Sequence, residues 1–393
     1  MFSRRIDWNT AKNALTNAAE KRRQAGLPLA DLASANPTRD GFAWAPETLA
    51  SAFANAENRY YLPCPQGVAA ARESIAAYYA THAAAVSASQ IHLCASTSEG
   101  YAWVLKLLAD PGDQVLAPAP SYPLLQFLAE MECVTIAHYP LVLQNGCWRV
   151  DAAALKAAIT PRTRAIFCVS PNNPTGSTFD AQERAFLREI ALQHGLVLIV
   201  DEVFIDFAAA DRAPLSSWAG ETEAPLLALN GLSKLALLPQ IKLAWIATAG
   251  PPDWRHTALK NLDLIADTYL STSTAAQNAA PFLLQHAPFA RAPLLQRINA
   301  NEQTLRDWCA SSPHAPHVLP REAGWTAMLA LPNGVDEEAA SLDLIKRGGV
   351  IVHPGYFYDT PHGFPPCWVV SLTAPETAFA AALAAMHDTL QRH

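Results

Sequence analysis

Through the middle of the chain, short apolar runs alternate with longer segments in which apolar positions repeat with a helical period. The apolar runs predict β-strands at residues 91–94, 114–117, 134–138, 165–170, 196–200, 226–230 and 243–248. The amphipathic segments predict helices at residues 98–109, 122–132 and 181–194. Strands joined by helices of this length predict a mostly parallel central sheet with helices on both faces.

The segments on either side of this region mainly predict helices, with a smaller α/β unit near the C-terminus. Helices are expected at residues 9–25, 45–56, 69–86, 253–285, 293–311, 337–347 and 375–392. Strands of the smaller unit are expected at residues 326–331, 350–352 and 368–372. We therefore expect an α/β protein with a large domain at residues 45–275. A small domain would be formed by both termini, residues 1–44 and 276–393.

Composition and charge narrow the classes of function. The chain has 393 residues, of which 51% are hydrophobic and 16% are charged, so it can bury a sizeable core. The net charge of −7 and the lack of a basic run argue against a nucleic-acid partner. No apolar run is long enough to span a bilayer, and the first residues lack the apolar stretch of a signal peptide. The 7 cysteines form no CxxC pair, which favours a reduced, cytoplasmic location.

Polar residues come directly after several of the predicted strands. The Asn-Pro-Thr-Gly motif that begins at Asn173, the carboxylate of Asp201 and the amine of Lys234 each follow an apolar run. Such strand ends meet at one edge of a parallel sheet. Together the three groups could hold pyridoxal phosphate. A lysine binds its aldehyde reversibly, a carboxylate keeps its ring nitrogen protonated, and an amide holds its ring oxygen.

Taken singly, each of these residues has a simpler structural interpretation. Lys234 has the pattern of a surface lysine that begins a helix, which is the commoner fate of a lysine. Asp201 is suited to capping a helix, and Asn173 lies in a motif whose composition is typical of a turn. Their occurrence together, in this order and after three strands, favours the interpretation as a cofactor site.

The three motifs Asn-Pro-Thr-Gly, Asp-Glu-Val and Ser-Lys, at 173–176, 201–203 and 233–234, resemble those of fold-type I pyridoxal-phosphate enzymes. Specifically, the chain resembles class I and II aminotransferases over nearly its whole length. The resemblance implies a large domain with a mostly parallel sheet and a smaller α/β domain. It also implies that Lys234 forms the Schiff base, that Asp201 pairs with the pyridinium nitrogen and that Asn173 donates to the phenolic oxygen.

The same resemblance implies a binding site for the cofactor phosphate, built from a loop, a helix start and two residues around the lysine. Backbone N–H groups at a helix N-terminus suit an anion, and a plain capping box at residues 96–99 is compatible with that role. The residues that match the phosphate site are Thr97, Ser98, Glu99, Ser233 and Lys242.

Two tyrosines complete the matched positions. Tyr122, in a Pro-Ser-Tyr-Pro segment, resembles the aromatic residue that stacks on the cofactor ring, although the pattern also fits a core tyrosine. Tyr61, before Gly67, resembles the tyrosine that reaches the phosphate of the neighbouring subunit. The resemblance therefore implies a homodimer with shared active sites.

The chain departs from the family pattern at three positions. Lys242 stands where the family usually has arginine, and a lysine binds phosphate as a point charge without the planar fork. Phe204 stands where a tyrosine is frequent, so the ring oxygen depends more on Asn173. Val369 takes the place of the arginine that usually grips the substrate carboxylate with two hydrogen bonds.

Another cation could take over the substrate carboxylate, or the substrate has no carboxylate at that place. Arg39, in a loop that begins at Asn36, is the first candidate, and we expect both residues to line the substrate site. Arg321 and His353 are weaker candidates. An exposed loop charge is an equally good interpretation of Arg39.

Transamination is the expected reaction, between an amino donor and a keto acid acceptor, with Lys234 as the general base. A pyridoxal-phosphate lyase that acts on cysteine-like substrates is the main alternative. A ligand-sensing protein that retains the cofactor site is another, although no DNA-binding module is attached. A nucleotide-binding α/β protein finds no support, because the sequence has neither GxGxxG nor GxxxxGK[ST].

Overall fold

The computed structural model describes residues 2–9, 11–311 and 315–393. Its α-helices are α1 (Ala14–Gln24), α2 (Pro46–Phe53), α3 (Ala69–Thr81), α4 (Thr97–Leu108), α5 (Leu124–Met131), α6 (Ala152–Ala158), α7 (Ala181–His194), α8 (Leu232–Leu235), α9 (Pro252–Tyr269), α10 (Thr274–Ala310), α11 (Glu337–Asp343) and α12 (Glu376–Leu390). Its strands are β1 (Ala30–Asp31), β2 (Ile91–Cys94), β3 (Gln114–Ala119), β4 (Thr135–Gln144), β5 (Cys147–Val150), β6 (Thr163–Val169), β7 (Val197–Asp201), β8 (Leu226–Gly231), β9 (Ala244–Ala249), β10 (His317–Val318), β11 (Thr326–Ala330), β12 (Val350–Ile351), β13 (His353–Pro354) and β14 (Cys367–Ser371).

An eight-stranded mixed sheet in the order β2-β9-β8-β7-β6-β3-β4-β5 forms the centre of the molecule. The neighbours from β8 through β4 run parallel, whereas β9 and the edge strand β5 run antiparallel to their neighbours. Alternation of strands and helices along the chain produces this arrangement, because a parallel neighbour needs a crossover. The expected α/β class with a mostly parallel sheet is confirmed.

The central strands are buried on both faces. In β6, Ile166 and Phe167 point to different hydrophobic cores, and Leu198 and Ile199 do the same in β7. Successive side chains of a strand point to opposite faces, so a strand covered on both sides is a continuous apolar run. Helices α3 and α7 pack on one face, and α4, α5 and α9 pack on the other.

A further core lies beside the large sheet. It is enclosed by the four-stranded sheet β10-β11-β14-β13 and by parts of α10 and α12. Trp325 and Trp368 are fully buried there. The division into domains at residues 45 and 275 stays a prediction. Within the described part of the chain, no helix combines the length and apolar character needed to cross a bilayer.

The long helix α10 differs most from expectation. The sequence patterns predict one helix over 253–285 and another from Pro293, but α9 ends at Tyr269 and α10 continues through Pro281, Pro288 and Pro293. Each proline removes a backbone hydrogen bond and disfavours the helix. Burial of Leu283, Leu294 and other side chains along α10 against two cores outweighs that local cost.

Smaller corrections concern the ends of elements. The helix expected at 9–25 begins at Ala14, where Asn13 caps it, and the helix expected at 69–86 ends at Thr81. The strand expected at 134–138 continues to Gln144, and β5 was missed. The turn at residues 145–146 joins these two strands into a hairpin at the edge of the sheet.

Candidate active site

Neighbouring strands of the central sheet bring the three polar motifs together. Strands β6, β7 and β8 are adjacent and parallel, with Asp201 at the end of β7 paired to Val169 on one side and to Leu229 on the other. The Asn-Pro-Thr-Gly loop follows β6, and Lys234 lies in the single turn of α8 that follows β8. The carboxyl edge of the sheet therefore carries the amide, the carboxylate and the amine side by side.

Glycine and aromatic side chains determine where Lys234 lies. A Cβ atom on Gly231 would lie 2.7 Å from the Cβ atom of Ala244, so only glycine allows this close turn between β8 and α8. The Lys234 Nζ atom lies 5.0 Å from the centroid of the Trp325 ring and 6.0 Å from that of Phe204. Burial lowers the pKa of Lys234, and the nearby charge of Asp201 partly opposes this effect. The amine is thus more often neutral than an exposed lysine, as a nucleophile or base must be.

Asp201 is a buried carboxylate with two hydrogen-bond donors. The Tyr101 hydroxyl donates to Oδ2, and the backbone N–H of Val203 donates to Oδ1 over 3.0 Å. Burial raises the pKa of Asp201, whereas the Tyr101 hydroxyl, the Val203 N–H and the Lys234 charge lower it. These three groups therefore favour the ionised carboxylate that a pyridinium partner must be.

Tyr101 is a site residue that the sequence reasoning missed. It lies one turn after Thr97 on α4, so both residues lie on the same face of the helix that begins at the expected phosphate site. A hydroxyl-bearing aromatic residue at that spacing was the available signal. Nothing local indicates its partner, because Asp201 lies on a strand one hundred residues further along the chain.

Replacing Tyr101 with phenylalanine is expected to move the acidic limb of the pH–rate profile to higher pH. The Tyr101 hydroxyl is one of the groups that lower the pKa of Asp201, so its loss raises that pKa. The carboxylate then becomes protonated at a higher pH as the solution is acidified. The rate near neutral pH should fall about tenfold, the worth of one hydrogen bond to a charged group. Rates measured across pH with saturating cofactor test this.

Tyr139→Phe is the matched control for this prediction, because the Tyr139 hydroxyl is also buried but donates to the backbone oxygen of Phe167. Both variants lose a buried hydroxyl and some stability, but only Tyr101→Phe should displace the acidic limb. Superimposable acidic limbs for wild type and Tyr101→Phe would show that Tyr101 does not influence Asp201.

Asn173 has an amide group without a partner. Its Oδ1 atom is buried and makes no hydrogen bond to any described residue. The loop around it is held in place by Gly176, which has φ +68° and whose Cβ would lie 2.4 Å from the carbonyl oxygen of Ala323. Since buried polar groups are nearly always hydrogen-bonded, the Oδ1 atom is suited to a donor of a ligand, whereas a ring oxygen of a ligand would need the Nδ2 group of the same amide.

The start of α4 offers free backbone donors. The Ser96 hydroxyl accepts the N–H of Glu99 over 3.1 Å, and the Glu99 carboxylate accepts the N–H of Ala95 over 2.6 Å. Glu99 is thus engaged at the helix start, although its carboxylate accepts from Ala95 and not from the cap residue Ser96, so the capping box that the sequence allowed is not formed. The N–H groups of Thr97 and Ser98 find no acceptor among the described residues, which suits an anion at this helix end.

The other expected phosphate and ring contacts remain accessible. Lys242 is exposed and has φ +59°, and Ser233 is half-buried just before the lysine. Tyr122 leaves 51% of its surface exposed, although its neighbour Ser121 is fixed by a 2.8 Å hydrogen bond to the backbone oxygen of Tyr358. An aromatic ring held on a fixed backbone with one exposed side is suited to stacking.

These observations fit pyridoxal phosphate. The amide of Asn173, the buried carboxylate of Asp201, the amine of Lys234 with its lowered pKa and the free N–H groups of α4 match the donors, acceptor and nucleophile that this cofactor requires. The exposed ring of Tyr122 could cover one of its faces.

Val369 lies where the family pattern places the carboxylate-binding arginine. It is 2% exposed and pairs with Met328 on one side and His353 on the other, so position 369 offers no charge to a carboxylate. Burial lowers the pKa of His353, whose Nδ1 atom lies 3.1 Å from the Tyr358 hydroxyl. A neutral histidine with this partner does not replace an arginine.

Arg321 is also unavailable as a carboxylate ligand. Its guanidinium forms an ion pair with Glu302 and donates to the Gly324 oxygen over 2.7 Å. Arg39, in contrast, is exposed, and its guanidinium forms no hydrogen bond or ion pair to a described residue. Asn36 uses its Oδ1 atom to fix the turn through the Thr38 hydroxyl, at 2.6 Å.

Tyr61 lies away from these groups, on the surface of the chain. It is 63% exposed and is flanked by Tyr60 and Leu62, which are 47% and 70% exposed. The structure of one chain therefore does not bring Tyr61 into contact with the other predicted site residues.

Comparison with known proteins gives a consistent result over most of the sequence. Residues 28–377 match the sequence profile of the family described as aminotransferase class I and II. An alanine aminotransferase from Mycobacterium tuberculosis is 30% identical over 216 residues, which cover 54% of this chain and 50% of that protein. A glutamate-pyruvate aminotransferase from Escherichia coli is 28% identical over 262 residues, covering 66% of this chain and 64% of the relative. The matched part thus spans about half to two thirds of these relatives.

Solved structures share the fold over the full length. An alanine aminotransferase from Pyrococcus furiosus superposes with a TM-score of 0.89 at 19% identity, with 100% of both chains covered. An aminotransferase from Escherichia coli gives a TM-score of 0.85 at 22% identity, with 100% of this chain and 98% of that chain covered. At these identities the likeness establishes the fold, which is the fold-type I architecture expected from the motifs.

Proposed function

Because the chain belongs to the class I and II aminotransferase family, we propose that it is a pyridoxal-phosphate-dependent aminotransferase. It would exchange an amino group between an amino acid donor and a keto acid acceptor. The observation that carries the proposal is the pair formed by Lys234, whose pKa is lowered by burial, and the buried Asp201 on the neighbouring strand. The alanine and glutamate-pyruvate aminotransferases among the relatives make L-alanine, L-glutamate and pyruvate the first substrates to try.

When bound, the cofactor supplies an aldehyde that links to amino groups and a protonated ring that withdraws electrons. Lys234 would hold the aldehyde until a donor amine displaces it. Its freed Nζ atom would then act as the base that accepts the proton from the donor α-carbon and as the acid that returns it. The aromatic rings of Trp325 and Phe204 beside Nζ keep water away and favour the neutral amine.

The remaining groups hold the cofactor in position. Asp201 keeps the ring nitrogen protonated, and Asn173 donates to the ring oxygen without help from a tyrosine, because Phe204 lacks a hydroxyl. Tyr122 stacks on the ring. The phosphate would be bound at the start of α4 and by the loop around the lysine, through Thr97, Ser98, Ser233 and Lys242, whereas Glu99 is already engaged by Ser96 and Ala95.

A visible spectrum tests the proposal. The purified protein with pyridoxal phosphate should show a band in the visible range, and a productive amino acid should bleach it with release of an equal amount of keto acid. Absence of the band after addition of pyridoxal phosphate contradicts the cofactor assignment. A C–S lyase would instead release pyruvate and ammonia from cysteine-like substrates without an acceptor, but the relatives named above are all aminotransferases.

A homodimer with shared active sites is part of the proposal. Tyr60, Tyr61 and Leu62 are strongly exposed, as is Leu270 at 65%. Hydrogen bonds of 3.0 Å between Cys64 and Ser271 hold the two segments together, so these side chains form one apolar surface. Surfaces of this kind commonly mark protein contacts, and a second copy would bring its Tyr61 to the phosphate site.

Mixing two defective variants is expected to restore activity. Tyr61→Ala impairs the site of the neighbouring subunit, and Lys234→Ala impairs its own, so a mixed dimer retains one competent site. After joint unfolding and refolding of equal amounts, about a quarter of wild-type activity should return, the statistical share of competent sites. The separately refolded variants are the control. Mixed dimers without recovered activity would contradict sharing of the site.

A cytoplasmic location is the remaining part of the proposal. All 7 cysteines are free, and Cys94, Cys168 and Cys367 are buried. Free cysteines in this number are typical of a reducing compartment.

A further inference from the structure

The substrate site lacks the usual ligand for a carboxylate. Val369, an apolar residue, stands where the family pattern has the carboxylate-binding arginine. Met328 and His353 occupy the paired positions on the neighbouring strands. An α-amino acid in such a site leaves a carboxylate without a counter-charge, which is unfavourable away from water. The chain must therefore supply a cation from elsewhere if its donor is an amino acid.

Two other arginines near this region already contact protein groups. Arg321 is held by Glu302 and a backbone oxygen. The Arg297 guanidinium lies 5.1 Å from the Phe42 ring centroid and 3.6 Å from the Glu376 carboxylate. Freeing Arg321 would leave the buried Glu302 carboxylate uncompensated, so Arg321 is not suited to a substrate. Arg297 is held less firmly, since Glu376 is exposed and the Arg297 Nη1 atom has no partner among the described residues.

The loop at residues 36–44 is attached at two points on either side of the site. The Trp44 indole N–H donates to the backbone oxygen of Ala236 over 2.7 Å, two residues after Lys234. The Asp40 carboxylate accepts the Thr373 hydroxyl over 2.5 Å, just beyond the end of β14. The 36–44 loop therefore runs from the strand that carries Val369 to the turn that carries Lys234.

The Thr373 attachment point is close to the catalytic lysine as well. The N–H of the preceding residue, Leu372, donates to the backbone oxygen of Trp325 over 2.8 Å. The ring of Trp325 in turn lies beside the Lys234 Nζ atom. Arg39 lies directly before the anchored Asp40, is exposed and makes no hydrogen bond or ion pair to a described residue.

The turn that carries Arg39 is also ordered in advance. The Arg39 N–H donates to the Asn36 oxygen over 3.0 Å, and the Phe42 N–H donates to the Pro37 oxygen over 2.9 Å. A turn already fixed before binding loses little entropy when its side chain takes a ligand. Arginine is suited to this task because its planar fork can form two hydrogen bonds to one carboxylate.

We propose that Arg39 on the 36–44 loop binds the carboxylate of an amino acid donor and so replaces the arginine absent at Val369. The inference rests on the proposed function, since it concerns the substrate of that reaction. It assigns the donor to the α-amino acids and excludes simple amines. Trp44 and Asp40 act as positioning residues that hold the loop over the site.

The test compares a donor with and without its carboxylate. Each of the twenty standard amino acids is added to the wild-type protein loaded with pyridoxal phosphate, and the fastest to bleach the visible band is paired with the amine that lacks its carboxylate. For L-alanine, that amine is ethylamine. The kinetic constants for both compounds are then measured for wild type, Arg39→Ala, Arg39→Lys and Trp44→Phe.

Arg39→Ala should lower kcat/KM for the amino acid about 100-fold, almost wholly through KM, because a bidentate charged contact is lost from both bound states. The amine, already a poor donor, should change less than about threefold. Arg39→Lys should lose about tenfold, because an ammonium cannot form the fork. Trp44→Phe should raise KM for the amino acid only, although Arg39 is intact.

Arg23→Ala is the matched control, because Arg23 is an exposed arginine on α1 outside the site. It should leave all constants unchanged. Equal losses for the amino acid and its amine in Arg39→Ala, or no loss at all, would overturn the inference. So would a wild-type protein that amines bleach and no amino acid does. A wild-type protein without the visible band would instead refute the proposed function, so the two failures are distinguishable.

Discussion

Replacing Lys234 with alanine is expected to reduce the transamination rate by roughly 10⁴-fold, the largest effect of any single substitution in this chain. The variant loses both the amine that holds the cofactor and the base that moves the proton. Both tasks depend on a neutral amine, and burial beside Trp325 and Phe204 lowers the Lys234 pKa toward that state. The rate of bleaching of the visible band by the best amino acid is the measurement.

Lys260→Ala is the control for this prediction, because Lys260 is an exposed lysine on α9. Its rate should equal that of wild type. A second measurement does not depend on turnover. Borohydride treatment of the wild-type protein should add the mass of the reduced cofactor to the peptide that contains Lys234 and to no other. Attachment at a different lysine would disprove the assignment.

Replacing Asp201 with asparagine is expected to lower kcat by about 10³-fold even when the cofactor is saturating, the scale at which a single electrostatic contact acts in a closed site. Asparagine keeps the size of the side chain, and its single oxygen can still accept the Val203 N–H, while its Nδ2 group would donate to the Tyr101 hydroxyl oxygen. It removes the negative charge that keeps the ring nitrogen protonated, so the ring withdraws electrons less strongly. Single-turnover rates at saturating cofactor measure this directly.

Asp211→Asn, at an exposed position, is the matched control and should leave kcat unchanged. If Asp201→Asn retains the wild-type kcat and only binds the cofactor more weakly, then Asp201 is an anchor and not an electronic partner. Tyr101→Phe provides an internal comparison, because it removes one hydrogen bond to the same carboxylate without removing the charge of Asp201. Its loss of rate should lie between wild type and Asp201→Asn.

Much of the fold follows from local patterns. The apolar runs of β6, β7 and β8 are buried on both faces, and their composition alone distinguishes them from the amphipathic helices between them. The polar motifs after those strands could be placed at one edge because parallel strands end together. For that reason Lys234, Asp201 and Asn173 could be predicted from the sequence to lie together.

Errors occurred where packing outweighs local preference. Pro281, Pro288 and Pro293 disfavour a helix, yet α10 runs through all three because its apolar side chains are buried against two cores. The edge strand β5 has no distinctive pattern of its own, and its existence depends on pairing with the extended end of β4.

The sequence by itself determined the α/β class, the family and the three residues at the strand ends, because short stretches of chain encode each of them. Only the tertiary structure decided which partners they have. Tyr101 reaches Asp201, Trp325 lies beside Lys234, and Glu302 occupies Arg321 while Arg39 stays free. These contacts join segments far apart in the chain, and no local pattern encodes them, because the packing of distant side chains selects them.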